Sequence, residues 1–332
     1  MTPSSIAEVR AGGKRALAAA LAAIETEAGT EALACFLDEA CRHARGATLG
    51  LTGPPGVGKS TLTNALVAGW RRAGETVGVI AVDPSSRRTG GALLGDRARI
   101  STDPGDRGVF VRSMAARDRL GGLSDQTVAA MVIMRTVFDR VLIESVGIGQ
   151  SEADVAMVAD TVVLCIQPGS GDSLQFMKAG VMELPDVIVV TKADMGAPAQ
   201  RAKADVEGAL TLVARDPGTW TAPVVLVSSA TGEGLDALSA AIGAHRRWLE
   251  AGRLAARRAR PRRGGDRRRR PVGGGRRRRR RHGGAVHPAR LRRQPAVHEG
   301  RRHGTARHRR RHQGRHGCPR PPRPRRRRRG AV

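Results

Sequence analysis

Residues Gly53-Pro-Pro-Gly-Val-Gly-Lys-Ser-Thr61 match the phosphate-binding pattern GxxxxGK[ST] in full. They follow an apolar, β-branched run at 48–52 that predicts a strand, and they precede a helical pattern at 60–73. In such a loop, backbone N–H groups surround the phosphates, the lysine reaches the β- and γ-oxygens, and the hydroxyl ligates magnesium. Lys59 is therefore also a catalytic candidate, and Ser60 a metal ligand. We expect nucleotide contacts from Gly53, Pro54, Pro55, Gly56, Val57, Gly58, Lys59, Ser60 and Thr61.

The body of the chain alternates short apolar runs with longer amphipathic segments. Strands are predicted at 48–52, 76–82, 109–112, 140–143, 161–166, 186–190 and 223–227. Helices are predicted at 60–73, 125–138, 173–183, 199–214 and 234–249. This alternation predicts βαβ units and an α/β fold with a doubly wound, mostly parallel sheet. Together with an Ala- and Leu-rich helical stretch at the start, it suggests an N-terminal helical extension at 1–46, a P-loop domain at 47–250 and a tail at 251–332.

The tail carries almost all of the excess charge. It holds 33 of the 58 basic residues, all arginine, against two acids, which gives it a net charge of +31. Residues 1–250 hold 25 basic and 28 acidic side chains, a net charge of −3. The basic average is therefore no evidence that the folded part binds nucleic acid, and the tail would bind it only non-specifically. We expect the tail to be disordered, or else to derive from a frameshift in a GC-rich gene.

Composition excludes other classes of protein. The apolar runs fall far short of the roughly 18 residues that a membrane span needs, and the N-terminus lacks the pattern of a signal peptide. We therefore expect a cytoplasmic protein with no membrane contact. Cys35, Cys41, Cys165 and Cys318 are scattered without a CxxC pair, so we expect no metal role for them.

A base-binding element follows the predicted strand at 186–190. Thr191-Lys192-Ala193-Asp194 is a variant of the NKxD pattern, in which the aspartate accepts the N1–H and N2–H₂ donors of guanine. Adenine lacks this donor pair, so Asp194 favours GTP. Lys192 would lie over the purine, and Thr191 replaces the usual asparagine, which contacts base and loop. The later strand-end loop would support the base through its main-chain N–H groups at Ser228, Ser229 and Ala230.

Carboxylates at other strand ends are candidates for magnesium. Glu144-Ser-Val-Gly147 resembles a DxxG element, in which Glu144 would hold magnesium and the Gly147 N–H would contact the γ-phosphate. Asp83 ends another predicted strand, although an Asx turn before Pro84 would also explain it. Asp96 is a further metal candidate, and a loop ion pair is its alternative. Gln150 is either a water-positioning catalytic residue or a polar switch residue.

These strings together resemble one family. The P-loop, Ala81-Val-Asp-Pro-Ser-Ser86, Leu94-Gly-Asp-Arg97, Glu144 to Glu152 and Pro168 to Gln175 are similar to the methylmalonyl-CoA mutase-associated GTPases of the MeaB/ArgK type. That family includes the human methylmalonic aciduria type A protein. The resemblance implies a SIMIBI-class P-loop metallochaperone, usually a homodimer, that binds an adenosylcobalamin-dependent mutase. It would use GTP to gate cofactor loading and to protect the mutase.

The resemblance also implies roles for individual segments. It assigns GTP or GDP and Mg²⁺ to the P-loop, the strand-end carboxylates and the base loops described above. It implies a nucleotide-sensing switch at 147–152, and a segment at 172–178 that couples nucleotide state to the mutase. The sequence departs from the family at Thr191, at Ala179 and in the arginine tail, which replaces helices that contribute to the dimer. Hydrolysis is expected to be slow, by an in-line water, with Lys59 and magnesium offsetting the developing charge.

Three other functions fit parts of the sequence. A nickel-type metal-delivery GTPase would need a Cys/His cluster near the P-loop, for which Cys35, Cys41 and His43 are a poor substitute. A P-loop ATPase or kinase would need another base site and an acceptor motif. A nucleic-acid binder would act through the tail, and its affinity would fall steeply with salt.

Overall fold

The computed structural model describes residues 3–83, 100, 103, 105–115, 123–145, 151–169, 185–211 and 218–258, with the backbone alone at Asp83 and 151–153. The strands are β1 Ala47–Thr52, β2 Val77–Asp83, β3 Val109–Ala115, β4 Arg140–Glu144, β5 Thr161–Ile166, β6 Val187–Val190 and β7 Val224–Leu226. The helices are α1 Ile6–Ala11, α2 Gly13–Thr26, α3 Glu31–His43, α4 Lys59–Arg72, α5 Asp125–Met134, α6 Ser151–Val158, α7 Ala197–Thr211, α8 Leu235–Glu250 and α9 Leu254–Arg258.

All seven strands form one parallel sheet in the order β3-β2-β4-β1-β5-β6-β7. This confirms the predicted α/β fold. The register aligns the carboxyl ends of the strands, because Leu51 lies opposite Glu144 and Ile166 lies opposite Val190. The loops that carry the P-loop, Glu144 and both base elements therefore leave the sheet at the same edge. This is where ligands bind in open α/β sheets.

Helices cover both faces of the sheet, as buried parallel strands require. One cluster joins α1, α2, α3, α5 and α6 to the sheet through residues such as Leu21, Phe36 and Ile143. A second joins α4 and α8 to the sheet through residues such as Leu62 and Ile242. The N-terminal helices thus belong to the main hydrophobic core, and side-chain caps from Ser5 and Thr30 begin α1 and α3.

Several element bounds differ from the sequence prediction. Helix α5 ends at Met134 rather than 138, because turns follow it, and β3 continues to Ala115 rather than 112. Helix α6 was not predicted at all. The helix predicted at 173–183 lies outside the described residues. Within the part of the chain that is described, none of the helices is long and apolar enough to cross a membrane.

Helix α9 lies beyond residue 250, where the sequence analysis began the tail. Arg258 donates two hydrogen bonds to the Asp160 carboxylate, at 2.7 Å to each oxygen. Arg257 donates to the Asp186 carboxylate at 2.5 Å. Asp160 and Asp186 directly precede β5 and β6, so this segment of the chain contacts the amino end of the sheet. The tail boundary at 251 stays a prediction.

Candidate functional site

The P-loop connects β1 to α4 in a backbone shape that needs glycine. Gly53 has φ 138°, and a Cβ built there would lie 2.2 Å from the Cys165 carbonyl oxygen. Gly58 has φ 99° and directly precedes α4, which begins at Lys59. Both values lie in the region that favours glycine over residues with a side chain. The loop therefore packs closely against the end of β5, with the N-terminus of α4 at its far side.

Lys59 is buried beneath the loop that precedes it. Its Nζ donates to the carbonyl oxygens of Gly53 at 2.8 Å and Pro54 at 3.0 Å. Only 7% of the residue is exposed, so its ammonium group needs such partners. These bonds hold the charge inside the curve of the loop, where a bound phosphate would meet it.

Ser60 and Glu144, two predicted magnesium ligands, lie in direct contact. The Ser60 Oγ donates to Glu144 Oε1 at 2.6 Å, and Thr63 Oγ1 donates to Glu144 Oε2 at 2.9 Å. Glu144 ends β4 and is 4% exposed. A hydroxyl and a carboxylate are the hard oxygen ligands that Mg²⁺ prefers, so this pair fits the ion.

The other predicted metal and phosphate residues are described only in part or not at all. Asp83 ends β2, which pairs with β4 so that Ala81 lies opposite Glu144. Its backbone therefore reaches the same edge of the sheet, while its side chain is not described. The metal candidate, the γ-phosphate contact and the candidate glutamine that lie outside the described residues are Asp96, Gly147 and Gln150.

Thr191 links the guanine element to the P-loop. Its Oγ1 lies 2.8 Å from the Val57 carbonyl oxygen and 3.0 Å from the Ile166 carbonyl oxygen, and it donates its one proton to either. The residue is 4% exposed. A threonine at this position therefore keeps a side-chain contact to the phosphate loop, which sequence reasoning assigned to the replaced asparagine.

The next two side chains of this element reach the surface. Lys192 has φ 57°, the only positive value for a non-glycine residue in the described part of the chain. Its Nζ donates to Gln167 Oε1 at 2.6 Å. Asp194 is exposed in the short 3₁₀ turn Ala193–Met195. An exposed carboxylate beside the phosphate loop is accessible to a purine base.

The second base loop is a tight turn fixed by its own backbone. The Ser228 N–H donates to the Glu233 carbonyl at 3.0 Å, and Gly232 N–H donates back to the Ser228 carbonyl at 2.9 Å. Ser228 is buried, while Ala230 is exposed. The Ala193 N–H donates to the Val227 carbonyl at 3.2 Å, which joins the two base loops. The structure thus brings the Thr191 and Ser228 elements together, with Ser229 and Ala230 following Ser228 in the turn.

Sequence reasoning missed two groups at this site. Thr63 lies outside the P-loop pattern, although its spacing of three from Ser60 places both on one face of α4. Cys165 lies under Gly53, and burial raises the pKa of its thiol to about 12, so it stays neutral at physiological pH. Nothing in the sequence near Cys165 indicated that the P-loop would cross it.

The phosphate loop, the hydroxyl–carboxylate pair and the guanine element define a P-loop nucleotide-binding protein of the GTPase class. Comparison with protein families gives a match over residues 17–268 to the model described as methylmalonyl Co-A mutase-associated GTPase MeaB. This match covers well over half of the chain, so the chain belongs to the MeaB family and is a P-loop GTPase. The family resemblance seen in the sequence is confirmed.

Individual relatives agree with this assignment. PH0274 of Pyrococcus horikoshii, provisionally named a GTPase, is 46% identical over 219 residues, which make up 63% of this chain and 67% of that protein. The mouse protein named methylmalonic aciduria type A homolog, mitochondrial, is 38% identical over 214 residues, 63% of this chain and 52% of that protein. A crystal structure titled LAO/AO transport system kinase matches with TM-score 0.62 and 28% identity, covering 76% of this chain and 78% of that one.

Proposed function

We propose that this GTPase acts as a chaperone of an adenosylcobalamin-dependent acyl-CoA mutase, such as methylmalonyl-CoA mutase. It would use GTP to gate loading of the cobalamin cofactor and to protect the mutase from inactivation. The family match over residues 17–268 carries the proposal, because the matched family is described as mutase-associated. The mouse relative supports it through the name of the disorder that it carries. A homodimer and a cytoplasmic location belong to the same proposal.

Guanine recognition is assigned to Asp194 and Lys192. The Asp194 carboxylate would accept the two neighbouring N–H donors of guanine, and the Lys192 stem would cover the ring. Its hydrogen bond to Gln167 holds the Lys192 side chain across the gap between the two strand-end loops. Ser229 and Ala230 would add main-chain N–H groups from the adjoining turn. Thr191 supports this pocket from below through its contact with Val57.

Magnesium is assigned to Ser60 and Glu144, with Asp83 and Asp96 as further candidates. The ion would supply positive charge to the β- and γ-phosphates. Lys59 would give up its contacts with the Gly53 and Pro54 carbonyls to reach the same oxygens, as a cation in a buried loop can do at little cost in reorganisation. Gln150 is the proposed water-positioning residue, and Gly147 the proposed γ-phosphate contact.

A complex-formation experiment tests the proposed partner. The full chain is mixed with purified methylmalonyl-CoA mutase, with no nucleotide, GDP or a non-hydrolysable GTP analogue, and complexes are resolved by size-exclusion chromatography with light scattering. We expect a complex, and a rate of adenosylcobalamin loading that differs between GTP and GDP states. Lys59→Ala is the control, and it should abolish the nucleotide dependence. No complex in any nucleotide state would contradict the proposal.

A further inference from the structure

Thr63 is a fully buried polar residue that the phosphate-binding pattern does not include. It lies on α4 three residues after Ser60, and 0% of it is exposed. Residues three apart on a helix lie on the same face, so both hydroxyls point in one direction. Helix α4 packs against β4, which ends at Glu144. The sequence spacing therefore brings two hydroxyls to the same strand end.

The two hydroxyls hold both oxygens of one carboxylate. Ser60 donates to Oε1 and Thr63 donates to Oε2 of Glu144, at 2.6 Å and 2.9 Å. One hydrogen bond would let the carboxylate turn about that contact, because a glutamate side chain has several rotatable bonds. Two bonds to different oxygens fix its plane. Buried carboxylates need such partners, and here α4 provides two.

The orientation of Glu144 also sets the orientation of Ser60. The Ser60 hydroxyl has one proton and donates it to Glu144, so its lone pairs point elsewhere and are available to a cation. Magnesium demands near-ideal octahedral geometry, and groups that orient its ligands affect its affinity strongly. A residue that fixes Glu144 would thus also fix the direction in which Ser60 presents its oxygen.

We propose that Thr63 is a positioning residue for magnesium, whose hydroxyl holds Glu144, and through it Ser60, in the arrangement that the nucleotide-bound ion requires. This inference rests on the proposed magnesium-dependent binding of guanine nucleotides at this site. Thr63 acts through Glu144 and does not itself contact the ion. The hydroxyl is the functional group, and the methyl group serves only packing.

Two substitutions separate the hydroxyl from packing. Thr63→Val keeps the branched shape and removes the hydroxyl, whereas Thr63→Ser keeps the hydroxyl and removes the methyl group. Binding of a fluorescent GDP analogue to the full chain is measured with EDTA and then over a series of free Mg²⁺ concentrations. We expect Thr63→Val to raise the half-maximal Mg²⁺ concentration about tenfold, or about 1.4 kcal/mol. Thr63→Ser should stay within about twofold of wild type, and all three should bind equally in EDTA.

Other outcomes would overturn the inference. A Thr63→Val protein that responds to Mg²⁺ like wild type would show that the hydroxyl is dispensable. A Thr63→Ser protein that shifts as much as Thr63→Val would assign the effect to packing. Thr63→Ala provides a second variant without the hydroxyl, and failure of both hydroxyl-free variants to fold would establish a structural role instead. A wild-type chain that binds no guanine nucleotide in either condition would contradict the proposed function itself.

Discussion

The two ends of the parallel sheet hold buried charge in different ways. At the carboxyl end, Lys59 donates to backbone carbonyls and Glu144 accepts from hydroxyls. At the amino end, Asp160 and Asp186 are each bound by an arginine guanidinium. Hydrogen bonds from neutral groups leave a charge that a ligand can use, whereas a guanidinium–carboxylate pair neutralises it. The comparison assigns nucleotide chemistry to the first end and structural stability to the second.

The amino end also contains a buried histidine. The His245 Nδ1 lies 2.9 Å from Thr161 Oγ1, and its Nε2 lies 3.3 Å from Asp186 Oδ1. The rings of Trp220 and Trp248 pack against it at 4.9 Å and 5.6 Å between centroids. Burial opposes ionisation of Asp160, but the hydrogen bonds and charge of Arg258 hold its pKa below the usual value. These groups bind one another and form no part of the nucleotide site.

The largest expected effect is on stability, from removal of Arg258. Arg258→Ala leaves the buried Asp160 carboxylate without its guanidinium, and we expect the free energy of unfolding to fall by about 2–4 kcal/mol. Nucleotide affinity of the folded protein should not change. Urea unfolding and nucleotide titration at low temperature measure the two quantities. The control is Arg253→Ala, which removes a guanidinium 4.6 Å from the Trp248 ring and should cost under about 1 kcal/mol.

If Arg258→Ala weakened nucleotide binding as much as it weakened folding, the two ends of the sheet would be coupled and the comparison would fail. Equal stability of the Arg258→Ala and Arg253→Ala proteins would show that the contact with Asp160 contributes nothing.

A smaller effect is expected from acid, through His245. Burial, and then the positive charge of Arg257, lower the pKa of His245 to about 4 from an ordinary value of 6.5. Between these two values the unfolded chain binds a proton that the folded chain does not. The free energy of unfolding should therefore fall as the pH drops from about 6.5 to about 4, by on the order of 2–3 kcal/mol. Asp160, whose pKa is lowered, should add a loss only at more acidic pH.

Urea unfolding of wild type and His245→Gln across this pH range checks the assignment. The variant should lose most of the slope between about pH 6.5 and pH 4. His43→Gln, at an exposed position on α3, should keep the wild-type slope. An unchanged slope in His245→Gln would show that the pH dependence arises elsewhere.

The smallest effect is expected at the carboxyl end, from the Thr191 hydroxyl. Thr191→Val removes its hydrogen bond to the P-loop and should weaken guanine nucleotide binding by about threefold to tenfold, with little change in unfolding free energy. Thr191→Ser keeps the hydroxyl and should bind like wild type. Fluorescence titration and thermal unfolding measure the two effects. A loss of stability without a loss of affinity would reverse the roles that the comparison assigns.

The sequence predicted the parts of the molecule that depend on short patterns. The P-loop, the strand runs and the Ser60–Glu144 pair follow from local spacing, because parallel strands place their carboxyl ends at one edge. The Thr63 and Thr191 contacts depend on which helix turn and which loop meet across the sheet, and spacing alone does not specify that. Arg257 and Arg258 have the composition of the tail, so only the structure showed their partners.

The most direct test of the account is competition of GDP, GTP, ADP and ATP against a fluorescent guanine nucleotide bound to the full chain with magnesium. We expect guanine nucleotides to win by about tenfold or more, and Asp194→Asn to abolish this preference. Asp205→Asn, at an exposed position on α7, is the matched control and should bind like wild type. Equal competition by ATP, or an unchanged preference in Asp194→Asn, would contradict the assignment of the guanine site.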